Sequence, residues 1–295
     1  MKQNRLQLWL LAIRPKTLPA AVGPVAVGTS VAYAGNKFAL FPALGCLIGA
    51  LLLQIAVNLA NDYFDYKNEI DSDERLGPVR VTQSGLISPS AVRNGMIISL
   101  FLAMLVFTYL SFVGGLPIVI IGLFSVLAAL AYSGGPYPLA SHGLGELFVF
   151  IFFGPVAVGG TYLVQAGQLS WLAMVAAVPP GLLITAIMVV NNLRDIETDK
   201  KAGKNTLAVL LGRRNTILEY RVLVGLSYCI PLGIYFGTGF GMAVLLPLAT
   251  VPLGWSLGKK VGLFEGKSLN NLLAATAGLS LAYSLLFSFG LVVGN

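Results

Sequence analysis

Gln54-Ile55-Ala56-Val57-Asn58-Leu59-Ala60-Asn61-Asp62-Tyr63-Phe64-Asp65 closes a long apolar run. Its polar members, Gln54, Asn58, Asn61, Asp62 and Asp65, recur at steps of three and four, which places them on one stripe of a helix. The rest of the run is apolar enough to lie in a bilayer, where acidic and amide side chains are costly against lipid. The stripe therefore faces the inside of a helical bundle.

The pattern occurs twice. Asn191-Asn192-Leu193-Arg194-Asp195, continuing to Asp199, repeats the Asn, acid, acid order of Asn61, Asp65 and Glu69 at a distance of 130 positions. In the second copy Asn191, Asn192, Asp195 and Asp199 again share one helical stripe. Two helices thus carry matching polar stripes. The repetition divides the chain into two related halves, about 1–135 and 136–265, followed by a final helix, all within one membrane domain.

Composition agrees with a membrane protein. The chain is 56% hydrophobic and 11% charged, against roughly 25% charged residues in soluble domains. Apolar runs near the roughly 20 residues needed to cross a bilayer fall at Leu18–Ala34, Leu40–Asn61, Ala91–Val113, Leu116–Ser133, Gly145–Val164, Leu169–Leu193, Thr216–Phe236, Phe240–Gly258 and Leu269–Val293. The predicted fold is an all-α polytopic bundle of about nine transmembrane helices. The basic amphipathic stretch before the first span reads as its flank and not as a cleaved signal.

Charge placement tests the count. With a cytoplasmic N-terminus and an external C-terminus, only Lys37 of the 19 basic residues falls on the external side, a strong positive-inside pattern. The net charge of +7 is then the cytoplasmic excess and calls for no nucleic acid. The acids also gather on or near the cytoplasmic side. Cys46 and Cys229 sit within spans and read as packing residues. Gly45 and Gly49 suit close helix contact.

Several carboxylates at one mouth repel one another, and a divalent cation relieves that repulsion. All the donors are oxygens, with no His or Cys beside them, which favours Mg²⁺ over zinc. Mg²⁺ commonly takes one or two protein carboxylates together with phosphate oxygens. Arg80, Lys200 and Lys204 lie close in sequence and suit a diphosphate. A cation-coupled transporter is the competing class, since transporters also set polar sites between repeats. It needs charge on a path through both membrane halves, and the outer halves carry none apart from Lys37.

These motifs resemble those of the UbiA superfamily of intramembrane aromatic prenyltransferases. Asn61–Asp73 is similar to its first Asp-rich motif and Asn191–Asp199 to its second. Arg14–Pro19, Asp73–Gly85 and Tyr132–Pro138 followed by Gly143–Glu146 resemble the branch that prenylates 1,4-dihydroxy-2-naphthoate. Two departures stand out. Glu69 occupies a position where the superfamily has Asp, so either Glu69 or Asp71 completes the first motif. Pro136 stands where a lysine often follows the Tyr132 position.

The resemblance implies a bundle around a central cavity in a cell membrane, with the active-site loops cytoplasmic. It implies Mg²⁺-dependent transfer of a polyprenyl group from an isoprenyl diphosphate to an aromatic acid. For the naphthoate branch this means loss of CO₂ and diphosphate to give demethylmenaquinol in menaquinone biosynthesis; hydroxybenzoate and homogentisate are the alternative acceptors. Asp62, Asp65, Asp195 and Asp199 are the expected Mg²⁺ ligands. Asn61, Asn191, Glu69, Asp71, Arg80, Lys200 and Lys204 are expected to bind substrate, with Lys200 serving equally well as topological charge. Tyr132 is expected to face the allylic cation or the diphosphate; the other reading is an interfacial tyrosine. Glu146 reads either as a site residue or as a solvated acid at a helix start. Arg14 and Lys16 read first as topological anchors, and His142 as a loop residue and not a base.

Overall fold

The computed structural model describes residues 4–68 and 76–295, and among these every regular element is helical. Helix α1 (Arg5–Ile13) starts at Asn4, whose side chain accepts from the Leu6 amide while the Gln7 side chain accepts from the Asn4 amide. It ends at Arg14, which takes a left-handed conformation at φ 55°. After Pro15 the chain bends by 47° into α2 (Pro19–Ala34). Long helices follow: α3 (Leu40–Lys67), α4 (Pro89–Gly114), α5 (Leu116–Ala131), α6 (Gly145–Ala166), α7 (Trp171–Lys201), α8 (Leu207–Thr238), α9 (Met242–Lys260) and α10 (Gly266–Val293). Helix α6 widens into a π-helical stretch over Phe152–Gly159, around Pro155, where the missing proline amide breaks the regular ladder.

Each predicted span coincides with one of these helices, but the count of nine is not established. Seven are long and apolar enough to cross a bilayer, and an eighth arises if α1 and α2 form one bent span. Helix α5 is apolar but has only 16 residues, about 24 Å at 1.5 Å per residue. The fourth predicted span therefore falls short of a hydrocarbon core of roughly 30 Å.

Helix polarity is visible in which ends meet. Gln165 in α6 accepts from the Ala39 amide at the start of α3. Asn295 donates to the Ala34 carbonyl at the end of α2, and Gly241 donates to Gly294. At the opposite end Ser133 donates to Asn61, Asn192 to Glu146, and Arg194 to Asn270. The helix ends that carry the acidic cassettes thus converge at one end of the bundle.

The core is built where helices cross closely. A Cβ on Gly45 would come within 2.8 Å of Leu110, so α3 and α4 need the hydrogen there; Gly49 continues the contact against Val106. A larger cluster joins α2, α7, α8 and α10 through Val27, Leu183, Val190, Tyr220, Tyr283 and Phe287. Outward-facing Phe101, Phe112, Leu116 and Phe124 are exposed. An apolar belt of that extent is stable only when lipid covers it.

Candidate active site

A cavity of about 780 Å³ runs from the end where the loops meet into the bundle. Its inner wall is apolar and aromatic, with Val25, Leu110, Ile118, Phe148, Phe152 and Phe153. Its mouth is polar and is built by the ends of α3 and α7, the α1–α2 elbow, and the chain around Arg80 and Lys204.

Helix α3 supplies the first set. Gln54, Asn58, Asn61 and Asp65 all line the cavity. Asn58 is buried and fastens the elbow, donating to the Ile13 carbonyl at 2.8 Å and the Thr17 hydroxyl at 2.9 Å. Asn61 accepts from Ser133. Asp65 pairs with Arg80, and both are buried. Asp62 points elsewhere: its two oxygens accept from the Val81 and Thr82 amides, and it is absent from the cavity wall. Glu69 and Asp71 lie outside the described residues.

Helix α7 supplies the second set. Asn191, Asn192, Arg194, Asp195, Thr198 and Asp199 line the cavity. Arg194 grips Asp195 with two bonds, Nε to Oδ1 at 2.8 Å and Nη2 to Oδ2 at 2.5 Å. The same guanidinium donates to Asn191 at 2.8 Å and to Asn270 of α10 at 2.7 Å. Asn270 in turn donates to the Leu76 carbonyl, which ties α10 to the chain that follows the first cassette. Gly77 packs over this hub; a Cβ there would stand 2.9 Å from Arg194 Nη2. Lys204 lies 3.7 Å from Asp199, and Asp199 is within electrostatic range of Asp195 and Asp65.

Other sequence-derived candidates separate. Tyr132 lines the cavity and its hydroxyl meets Met188 Sδ at 3.2 Å. Lys200 is exposed and away from the wall. Arg14 and Lys16, read as topological anchors, stand on the wall. Glu146 is buried, not solvated, and accepts from Asn192 at 2.7 Å. His142 stacks on Tyr137 with ring centroids 3.6 Å apart and bonds the Pro138 carbonyl. Two participants carried no role in the sequence reading, Arg194 and Asn270. The signal for Asn270 was present as Asn270-Asn271, a polar pair opening an otherwise apolar final span.

Among the described residues no three acid, His or Cys side chains stand close enough together to form a ready cation cage. Each cavity acid of the two cassettes has a basic partner instead: Asp65 with Arg80, Asp195 with Arg194, Asp199 with Lys204. The donors at the mouth are carboxylate and amide oxygens, which fit Mg²⁺. The nearby bases fit a polyanion. The arrangement suits a metal held jointly by protein and diphosphate oxygens.

The UbiA prenyltransferase family profile matches residues 21–271. The chain belongs to the UbiA prenyltransferase family. Among UbiA relatives, the 1,4-dihydroxy-2-naphthoate octaprenyltransferase of Haemophilus influenzae is 33% identical over 100% of this chain and 98% of its own length. The enzyme of the same name from Escherichia coli is 40% identical over 78% of this chain and 77% of its own. A UbiA homolog from Archaeoglobus fulgidus, solved bound to GPP and Mg²⁺, superposes with a TM-score of 0.69 at 16% identity, covering 97% of this chain and 99% of that one. That likeness speaks to the fold: an all-helical UbiA bundle of a multi-pass membrane protein.

Proposed function

We propose that this protein transfers a polyprenyl group from an isoprenyl diphosphate to 1,4-dihydroxy-2-naphthoate, releasing CO₂ and diphosphate and giving demethylmenaquinol for menaquinone biosynthesis. The carrying observation is that Asp65, Asp195 and Asp199 meet at the polar mouth of a cavity whose body is apolar and aromatic. A diphosphate head and a long hydrocarbon tail need that combination. The full-length similarity to naphthoate octaprenyltransferases supports the acceptor.

In this reading Asp65, Asp195 and Asp199, with Asn61 and Asn191, would hold Mg²⁺, and Arg80 and Lys204 would hold the diphosphate. Bound Mg²⁺ supplies charge neutralisation for the departing diphosphate. Phe148, Phe152 and Phe153 exclude water from the carbon end, and their ring faces favour positive charge. Tyr132 stands where the polar mouth meets the apolar body. The allylic C–O bond breaks with its electron pair leaving on diphosphate. A ring carbon supplies the pair for the new C–C bond, and the C–CO₂⁻ bond returns a pair to the ring as CO₂ departs. With the acceptor carboxylate ionised, the balance needs no external base. The mouth faces the cytoplasm, in keeping with the positive-inside charge pattern.

The test uses purified full-length protein with dihydroxynaphthoate and an isoprenyl diphosphate, with and without Mg²⁺. CO₂ and diphosphate should appear together and only with the metal. Product from hydroxybenzoate and none from naphthoate would overturn the acceptor. Unchanged turnover in both Asp65→Asn and Asp195→Asn would overturn the site.

A further inference from the structure

Asp62 stands beside Asn61 in the first cassette, yet the two side chains diverge. One residue along a helix is a rotation of about 100°. Asn61 and Asp65 turn to the cavity, while Asp62 turns toward the chain that leads into α4. Asp62 is 1% exposed, and each of its carboxylate oxygens already accepts a backbone amide, Val81 at 3.1 Å and Thr82 at 3.0 Å.

The segment it holds is compact. Ser84 closes on the Arg80 carbonyl through both its amide and its hydroxyl. Gly85 donates to Thr82, and Leu86 and Ile87 both donate to Val81. The Val81 side chain is fully buried among Leu59, Ala60, Val92 and Met96. Two amides that open a tight turn resemble the free N–H groups at a helix start, which a carboxylate caps well. Immediately before that turn sits Arg80, whose guanidinium meets Asp65.

We propose that Asp62 is a positioning residue and not a metal ligand: its carboxylate pins the Val81–Thr82 backbone and so delivers Arg80 to Asp65 at the cavity mouth. The role of Arg80 rests on the prenyltransferase reading above; the pinning does not. Asparagine at position 62 keeps one acceptor oxygen and sets an NH₂ against the other amide. One of the two bonds is lost and a donor faces a donor.

Hydrogen exchange of the full chain in detergent separates the two roles. In wild type the Val81 and Thr82 amides should be protected without metal. In Asp62→Asn they should exchange roughly tenfold faster, the size of one lost charge-assisted bond, while in Asp65→Asn they stay protected. Binding of Mn²⁺ with inorganic diphosphate, followed by paramagnetic resonance, gives the second readout. Its Mn²⁺ stoichiometry should persist in Asp62→Asn and fall in Asp65→Asn. In the prenyl-transfer assay Asp62→Asn should raise KM for the isoprenyl diphosphate more than it lowers kcat. Rapid exchange of both amides in wild type, unchanged exchange in Asp62→Asn, or loss of a bound Mn²⁺ in Asp62→Asn would each overturn the proposal. Should Asp62→Asn not fold, the wild-type exchange measurement alone still decides. An inactive wild type with the predicted exchange pattern would refute the prenyltransferase reading and leave the anchor standing.

Discussion

Replacing Arg194 by lysine keeps the charge and removes the fork. In wild type the guanidinium makes four bonds, two to Asp195, one to Asn191 and one to Asn270. A lysine ammonium is a point donor that cannot span them. Keeping Asp195 and one neighbour, it loses two bonds, each worth about 1.5 kcal/mol net when one partner is charged. Together they come to about 3 kcal/mol; water reaching Asp195, whose side chain is 17% exposed, recovers part of it. If half of that orients Asp195 and Asn191 in the transition state, kcat/KM falls roughly tenfold, at 1.4 kcal/mol per decade. Arg194→Met leaves the carboxylate unpaired and should cost about 10²–10⁴-fold, following the 3–5 kcal/mol typical of a broken buried pair. Steady-state diphosphate release with dihydroxynaphthoate as acceptor gives these values. A cycle with Asn270→Ala should show coupling of about 1 kcal/mol, because the two side chains touch. Arg194→Lys within twofold of wild type, with additive effects in the cycle, would refute the hub.

Gly77→Ala should lower kcat/KM several-fold without unfolding the protein, because its Cβ would press on Arg194 Nη2; no further loss when it is added to Arg194→Lys would confirm the clash. Lys204→Ala should raise KM for the isoprenyl diphosphate about tenfold, the order of one charged contact, while Lys200→Ala, outside the cavity, should match wild type in the same assay. Asn58→Leu should lower thermal stability in detergent by about 2 kcal/mol, since two bonds to the α1–α2 elbow are lost. Mn²⁺ should bind weakly alone and at least tenfold more tightly with inorganic diphosphate, because each cavity acid is already paired; equal affinity in a paramagnetic-resonance titration would contradict the shared-site reading.

The spans, the polar stripes and the gathering of the loops at one end were legible because each is a property of local pattern. Hydropathy finds apolar helices, and steps of three and four find a shared face. The positions of Asn61, Asp65, Asp195 and Asp199 on the cavity follow from that logic. Asp62 escaped it because stripe membership tolerates a neighbour one step round the cylinder, and only the returning chain decides which way that neighbour turns. Arg194 read as part of a cassette without a task, since its partners Asn270 and Gly77 are remote in sequence. Lys200 read equally well as topological charge, while Lys204 had the better claim on the diphosphate. The end of α7 separates them, because Lys200 remains on the helix and points out while Lys204, past the turn at Gly203, comes back against Asp199. Helix α5 read as a span because hydropathy registers composition more surely than length.

The pairing of acids with bases explains how so much charge sits at the edge of a bilayer. Unpaired, Asp65, Asp195 and Asp199 would repel across a poorly solvated mouth, and some would hold protons. Arg80, Arg194 and Lys204 cancel that repulsion one for one. A metal–diphosphate complex carries both signs and can satisfy the two sets at once, acids on the cation and bases on the phosphates. The exchange of partners then needs little net desolvation, unlike binding of either ion alone, which would strand the opposite set. Arg194 differs from the other two bases, since it is held by Asn191 and Asn270 as well as by Asp195. Four bonds from a position on α7 make it a fixed post. Arg80 and Lys204 sit on connecting chain beyond the helix ends, Arg80 beside the turn that Asp62 holds. One base thus lies on α7 within the bundle and two on connecting chain, so helix and loop approach the cavity mouth from different sides.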